Sequence, residues 1–227
     1  VTLVGRWLLA HLAAPVDELG IRPSLLVTTG STISLALAAA AVTTVLALPG
    51  AWLLSRRRTA WTLVLERVTY IASSLPGVVI ALALITVSVR YVPGIYQSPL
   101  LLVLCYSILF IPRAMVSLRS GLAAAPPELS DAARSLGCSP LGAFRRVVLP
   151  LILPSALTGA ALVAIAAATE LTATLLLSPT GTSTLATAFW AASDEFDYAG
   201  AAPFAAMMIL LSAPLTVLML RQSGITE

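Results

Sequence analysis

Charged residues are scarce in this chain, and lysine is missing altogether. Only 10% of the 227 residues are charged, and all 13 basic residues are Arg. A soluble domain usually carries about a quarter charged residues, so a soluble globular protein is excluded. The formal net charge of +3 is small and dispersed, which argues against a nucleic-acid partner. Apolar residues make up 59% of the chain, in long runs, and predict a polytopic membrane protein.

Residues that carry catalytic or metal chemistry are equally rare. The single histidine, His11, lies outside every long apolar run, which argues against haem or quinone sites and against a histidine-dependent intramembrane protease. Cys105 and Cys138 show neither a disulfide framework nor a metal-ligand spacing. No GxxxxGK[ST] phosphate loop is present, so the chain is not expected to hydrolyse ATP. We therefore expect no enzyme activity, catalytic residue, resident cofactor or metal site.

Five apolar segments are long enough to cross a bilayer as helices. Each is near the roughly 20 residues that span about 30 Å of hydrocarbon. Helices are expected because lipid offers no partners for open backbone groups. Small side chains are frequent in these runs and favour a tight bundle. The predicted spans are 31–54, 68–89, 100–118, 154–177 and 198–220.

The two ends of the chain are expected to lie outside this bundle. Residues 1–14 are too short and too polar to span, and 1–30 is expected to be extracytoplasmic. That segment is either a surface stretch or a remnant that continues from a missing preceding helix. The chain starts at Val1 without a signal peptide, and we expect it to be part of a longer protein. Residues 31–220 form the expected transmembrane domain, and 221–227 a cytoplasmic tail.

The arginines predict the orientation of the chain in the membrane. Cytoplasmic loops carry an excess of basic residues. Most of the arginines outside the spans lie in two alternate loops and at the C-terminus: Arg56, Arg57, Arg58 and Arg67 in the first, Arg119, Arg134, Arg145 and Arg146 in the second, and Arg221 at the end. The other loops carry only Arg22 and Arg90. The loop 119–150 is therefore predicted to be cytoplasmic.

The first half of that loop has the pattern of a short helix. Pro126 and Pro127 stop the preceding span and favour the first turn of a new helix. Glu128 and Asp131 then lie near its N-terminus, where the helix dipole favours negative charge. Four residues at helical spacing are expected to pack against the bundle: Leu129, Ala132, Ala133 and Leu136.

The second half predicts a turn and another helix. Gly137 fits the left-handed position that ends a helix. Ser139 and Pro140 make a good N-cap and first turn for a helix over 141–148. Residues 149–150 and Pro154 are then expected to turn the chain back into the membrane. The knob formed in this way is expected to expose Phe144, Arg145 and Arg146.

The spacing within 131–150, DAARSLGCSPLGAFRRVVLP, resembles a known element. An acidic residue precedes two alanines, Gly137 comes next, and Leu-Pro closes the stretch. This resembles the "EAA" loop of type I ABC importer permeases, with Asp131 in place of the usual Glu. The alternative is a generic surface hairpin of helices. The resemblance implies that ten residues dock the partner ATPase: Asp131, Ala132, Ala133, Leu136, Gly137, Phe144, Arg145, Arg146, Leu149 and Pro150.

In that family Gly137 would supply the turn. Asp131 and the two arginines at 145–146 would make polar contacts with the ATPase. Leu136 and Phe144 would be its apolar anchors.

Further segments are similar to the ferric-iron permeases. They are SLPG at 74–77, YVPGIYQ at 91–97, IPR at 111–113, ELTATLLL at 170–177, TLAT at 184–187 and YAGAA at 198–202. The resemblance implies an all-α permease of the bacterial inner membrane, equivalent to the second half of a two-half chain. Related permeases for thiamine, polyamine, phosphonate or sulfate share these features. A passive channel is the alternative from another class.

The same resemblance implies the partners. These are a cytoplasmic ATPase dimer that binds ATP and Mg, an extracytoplasmic substrate-binding protein, a second permease half and the lipid bilayer.

Three residues inside the spans are candidates for the translocation pathway. Glu170 is an acid well inside a predicted span, where carboxylates are costly and tend to face an interior or a water-filled path. It is either a pathway residue or a buried acid satisfied by its neighbours. Pro76 and Gly77 either break a helix that lines the pore or are simply tolerated near the start of a span.

Overall fold

The computed structural model describes residues 3–7, 21–56 and 59–222, and the regular elements within them are all helical. Much of the predicted segment 1–30 and most of the tail 221–227 lie outside the described residues. The helices are α1 (Ile21–Arg56), α2 (Ala60–Ser74), α3 (Gly77–Tyr91), α4 (Pro99–Ala123), α5 (Pro127–Ser135), α6 (Pro140–Ala143), α7 (Leu149–Ala168), α8 (Thr172–Leu177), α9 (Leu185–Asp194) and α10 (Tyr198–Gln222). A 3-10 turn (Pro93–Ile95) precedes α4, and a π-helical turn (Phe144–Val148) joins α6 to α7.

The centre of the bundle is formed by α1, α4 and α7, which pack against one another. One face of α1 is a row of small buried side chains: Ala36, Ala39, Ala40, Ala47 and Ala51. Small residues let helix backbones approach closely, which drives association where lipid is as apolar as the side chains.

Two glycines bring α4 and α7 together. A Cβ on Gly121 would lie 2.7 Å from Cβ of Ser155, and one on Gly159 would lie 2.9 Å from Cβ of Ser117. Real Cβ atoms essentially never approach so closely. The two helices therefore have no room for a side chain at either position.

Buried hydroxyl groups form hydrogen bonds between helices that are distant in sequence. Thr43 on α1 donates to Ser107 on α4 at 3.2 Å. Thr32 on α1 accepts from the backbone N–H of Leu185, at the start of α9, at 2.8 Å. These bonds satisfy polar groups that would be costly to leave unpaired in hydrocarbon.

Two of the five predicted spans are interrupted. The stretch 68–89 is not one helix, because α2 ends at Ser74 and α3 begins at Gly77. Pro76 (φ −59°, ψ 141°) lacks an N–H and disfavours a helical conformation in the residue before it. The stretch 154–177 also breaks, since α7 ends at Ala168 and α8 begins at Thr172.

The remaining spans agree better with the structure. Among the described residues, three helical stretches are long and apolar enough to cross a membrane: 25–56, 99–123 and 140–168. The first predicted span falls inside α1, which begins ten residues earlier than residue 31. The third and fifth coincide with α4 and α10. The predicted class, an all-α polytopic bundle, is confirmed.

Replacing Gly159 with Val should destabilise the bundle, because the side chain must displace Ser117 from the contact with α4. The expected loss is about 1–3 kcal/mol, the usual cost of overpacking a core. It would be measured as a lowered thermal midpoint of the purified protein in detergent. The matched control is Gly94→Val, where a Cβ meets nothing within 4 Å. Equal midpoints for the two variants would contradict the close packing of α4 and α7.

Candidate functional site

The predicted knob is present as α5, a tight turn and α6. Pro126 has an extended backbone (φ −61°, ψ 156°), and Pro127 opens α5 as expected. Glu128 lies in the first turn of α5, and Arg134 in its last. Both charges complement the helix dipole.

Gly137 ends α5 in the way that its sequence position predicts. Its φ is +89°, and a side chain there would meet nothing within 4 Å. The Gly137 N–H donates to the Arg134 carbonyl at 3.0 Å, and the Cys138 N–H donates to the Ala133 carbonyl at 3.1 Å. This pair of bonds is a Schellman motif, in which the residue with positive φ is usually glycine. Space is therefore available at residue 137, but the backbone conformation is restrictive.

The second helix of the knob starts as predicted and then differs. The Ser139 hydroxyl accepts from the Gly142 N–H at 3.1 Å and caps α6. The prediction that residues 149–150 turn the chain is wrong, since 140–168 is one continuous helical stretch of 29 residues. A π turn over 144–148 lies just before Pro150, which falls in the first turn of α7. Pro150 has no N–H to donate inside this continuous stretch, and it lies where the π turn already departs from the regular α-helical hydrogen-bond ladder.

The outer surface of the knob carries exposed apolar side chains. Leu136 is 87% exposed and Leu141 is 66% exposed, and these two residues flank the turn at Gly137. Asp131 and Arg134 lie 3.7 Å apart and are both exposed, a pair that contributes little stability. Arg145 and Arg146 are also exposed. The knob thus offers an apolar tip with a charged rim.

Two expectations about packing in the knob are corrected. Of the four α5 residues expected to pack against the bundle (Leu129, Ala132, Ala133 and Leu136), only Ala133 is buried, because the helix projects beyond the bundle. Phe144 was expected to be exposed, but its ring lies edge-on against Trp52 of α1, with centroids 5.4 Å apart. Phe144 therefore connects the knob to α1 instead of facing outward.

The two helix breaks lie next to each other, which brings the three pathway candidates together. Glu170 Oε1 accepts from the Ala173 N–H at 3.2 Å, at the start of α8. A Cβ on Gly77 would lie 3.1 Å from the same oxygen. Pro76, Gly77 and Glu170 are thus neighbours, and the half-buried carboxylate lies beside the N-terminus of α3.

A buried hydroxyl pair near Glu170 was not anticipated from the sequence. The Tyr106 hydroxyl bonds Oγ1 of Thr174 at 2.6 Å, and Thr174 in turn donates to the Glu170 carbonyl. Tyr106 is 1% exposed. The available signal was a tyrosine inside an apolar run, since a buried tyrosine usually needs a partner for its hydroxyl.

The knob and the helix breaks lie at opposite ends of α7. From Leu149 to Ala168 the helix extends about 30 Å at 1.5 Å per residue. The structure therefore brings the predicted site residues into two groups, joined by one helix.

The fold and these two groups define a polytopic helical membrane protein with a helical knob outside its bundle. Residues 44–225, more than half of the chain, match the family described as "Binding-protein-dependent transport system inner membrane component". The chain therefore belongs to this family, the membrane permeases of type I ABC importers. It is a multi-pass inner-membrane component.

Individual relatives agree with this assignment. The chain is 36% identical over 173 residues to the Fe(3+)-transport system permease protein FbpB 2 of Haemophilus influenzae, covering 76% of this chain and 34% of the relative. It is 30% identical over 164 residues to the putative 2-aminoethylphosphonate transport system permease protein PhnV of Salmonella typhimurium, covering 72% and 60%. The chain thus spans about a third of the first relative and 60% of the second.

A double-mutant cycle should show that Tyr106 and Thr174 act as a pair. Thr174→Val leaves the Tyr106 hydroxyl buried without its partner, at an expected cost of about 1–3 kcal/mol. Tyr106→Phe with Thr174→Val removes both ends and should recover part of that loss. Thermal unfolding of the four proteins in detergent measures the coupling. Strictly additive effects would show that the bond contributes nothing.

Proposed function

We propose that the chain is a permease half of an ATP-driven importer and that its knob docks a cytoplasmic ATPase. The observation that carries this is the exposure of Leu136 and Leu141 on both sides of the Gly137 turn. Two large apolar side chains at the tip of a charged knob fit an interface with an apolar centre and a polar rim. The surrounding arginines favour a cytoplasmic location for the knob, on the side where ATP is.

The continuous helix 140–168 supports a mechanism for transmission. In this proposal ATP binding closes the ATPase dimer and displaces the knob. A rigid helix moves as a unit, so the displacement reaches the break at Glu170 without a joint at residues 149–150. The contact between Phe144 and Trp52 carries the same motion to α1. The bundle then alternates between inward-open and outward-open states, and hydrolysis resets it.

The docking residues then take separate roles. Leu136 is an apolar anchor in the ATPase, and Asp131 with the two arginines at 145–146 supplies charged contacts. Gly137 sets the angle between the two knob helices. Ala132 is exposed on α5, whereas Ala133 of the same helix is buried. Phe144, Leu149 and Pro150 belong to the transmitting part, because they lie in and directly after the π turn of the continuous helix that leads from the knob into α7.

Glu170 is the proposed pathway residue. Its carboxylate lies where two helices are interrupted, and interrupted helices in a membrane are tolerated where they are buried in protein or line a cavity. Pro76 and Gly77 supply the second interruption. A carboxylate in this place would favour a cationic substrate over an anionic one.

Ferric iron is the proposed substrate, delivered by an extracytoplasmic binding protein. The support is the 36% identity to a permease named for Fe(3+) transport and the presence of Glu170. A 2-aminoethylphosphonate importer is the second candidate, because of the 30% identity to PhnV. The match to only 34% of the iron permease supports a second permease half that completes the pathway.

Substrate and energy source are tested together in proteoliposomes that contain the complete transporter and its ATPase. Radiolabelled ferric iron and radiolabelled 2-aminoethylphosphonate are offered in parallel, each with its loaded binding protein. We expect iron uptake that requires ATP. Phosphonate uptake alone would keep the importer and reject iron. Uptake of either substrate without ATP would indicate a passive channel.

Gly137→Val should reduce ATP-dependent uptake at least about tenfold while the protein still inserts. A β-branched residue at φ +89° costs roughly 1–3 kcal/mol, so the turn must change its shape. Gly137→Asn is the matched control, since asparagine tolerates the left-handed region, and it should retain most of the uptake. Normal uptake by the Val variant would count against a coupling role for the knob.

A further inference from the structure

A pocket of about 350 Å³ lies between the ends of α1 and α4 that are predicted to be cytoplasmic. Its polar lining comes from Arg56, Arg119 and Ser55. Its apolar lining includes Leu54, Leu122 and Pro126. The pocket is separate from the exposed tip of the knob and from the helix breaks at Glu170.

The two arginines of the pocket differ in their partners. Arg119 donates to Glu66 of α2, so its charge is compensated and its guanidinium is held in place. Arg56 lies over the ring of Trp52 at 4.4 Å. Its Nη2 is buried and, among the residues that the structure describes, has no hydrogen-bond acceptor. A guanidinium nitrogen without an acceptor is costly, and Arg56 is therefore the arginine of this pocket whose charge a bound anion would compensate.

The position of the pocket indicates which anion. Arg56 is the last residue of the apolar stretch 25–56, and Arg119 lies in the last turns of the stretch 99–123. If these two stretches span the membrane, both guanidinium groups lie toward the headgroup layer at the predicted cytoplasmic side. Guanidinium groups bind phosphate oxygens in a two-pronged geometry. The cytoplasmic leaflet is rich in anionic lipids that attract basic residues there.

We propose that this pocket binds the phosphate of an anionic phospholipid headgroup, with Arg56 as its principal ligand and Arg119 as a second donor. The apolar wall formed by Leu54, Leu122 and Pro126 contacts the glycerol and upper acyl region. Free phosphate would bind the same guanidinium groups, but it has no apolar group that could contact this wall. The site ties the ends of α1 and α4 to the membrane surface beside the knob.

The test uses the complete transporter, including its ATPase, after exchange into an equal mixture of phosphatidylglycerol and phosphatidylcholine. Native mass spectrometry counts the lipids that remain bound. The wild type should retain phosphatidylglycerol in preference to phosphatidylcholine. Arg56→Gln should lower the retained phosphatidylglycerol about tenfold, because a charge-assisted hydrogen bond is lost. Arg90→Gln removes an equal charge from an exposed position in the last turn of α3, away from the pocket. It should leave the retained phosphatidylglycerol unchanged.

Arg56→Lys separates the effect of charge from the effect of guanidinium geometry. It keeps the charge but not the two-pronged geometry, and it should retain an intermediate amount of phosphatidylglycerol. Equal retention by the wild type and both Arg56 variants would overturn the proposal, as would a wild type without preference between the two lipids. Displacement of the lipid by inorganic phosphate alone would identify free phosphate as the ligand. Unchanged lipid with loss of the ATPase from Arg56→Gln would identify an acidic protein side chain instead.

Discussion

The close approach of α1, α4 and α7 is the constraint on which the rest of this structure depends. In a bilayer, burying apolar surface gains little, so helices associate through packing and hydrogen bonds. Here the contact relies on Gly121 and Gly159, where α4 and α7 leave no room for a Cβ. The Thr43–Ser107 bond joins α1 to the same centre. A rigid central trio allows the short and interrupted helices around it to be irregular without unfolding the bundle.

In the proposed mechanism, the same close packing lets two distant groups of residues act together. The helical stretch 140–168 leaves the knob, passes through a π turn and ends next to Glu170. A turn at residues 149–150 and Pro154, as expected from the sequence, would have interrupted the helix between the knob and the bundle. In the continuous helix, a displacement of the knob would also move the end that lies next to Glu170. The packing of Phe144 on Trp52 adds a lateral connection to α1, so the proposed signal has two routes into the membrane.

Charged side chains in this protein are few, and most of the arginines lie in the loops that are predicted to be cytoplasmic. Arg119 is paired with Glu66, whereas Arg56 stacks on Trp52 and leaves a buried nitrogen without a described acceptor. On the knob, Asp131 and Arg134 remain in solvent. Exposed charges are suited to a reversible contact with a partner protein. A half-buried guanidinium is suited to a ligand that remains bound. The proposed ATPase contact and the proposed lipid site agree with this division.

The sequence alone determined the helical membrane class, the knob and the shape of its turn. These depend on composition and on contacts within a few residues, such as the Gly137 and Ser139 caps. Local sequence rules predict that prolines interrupt helices, but they do not identify which prolines do so. Pro76 interrupts a helix, whereas Pro112 and Pro154 lie inside helices. Only the tertiary structure turned Phe144 inward onto Trp52 and brought Gly77 beside Glu170. Those contacts join residues about 90 positions apart, because they are set by how whole helices pack and not by any local pattern.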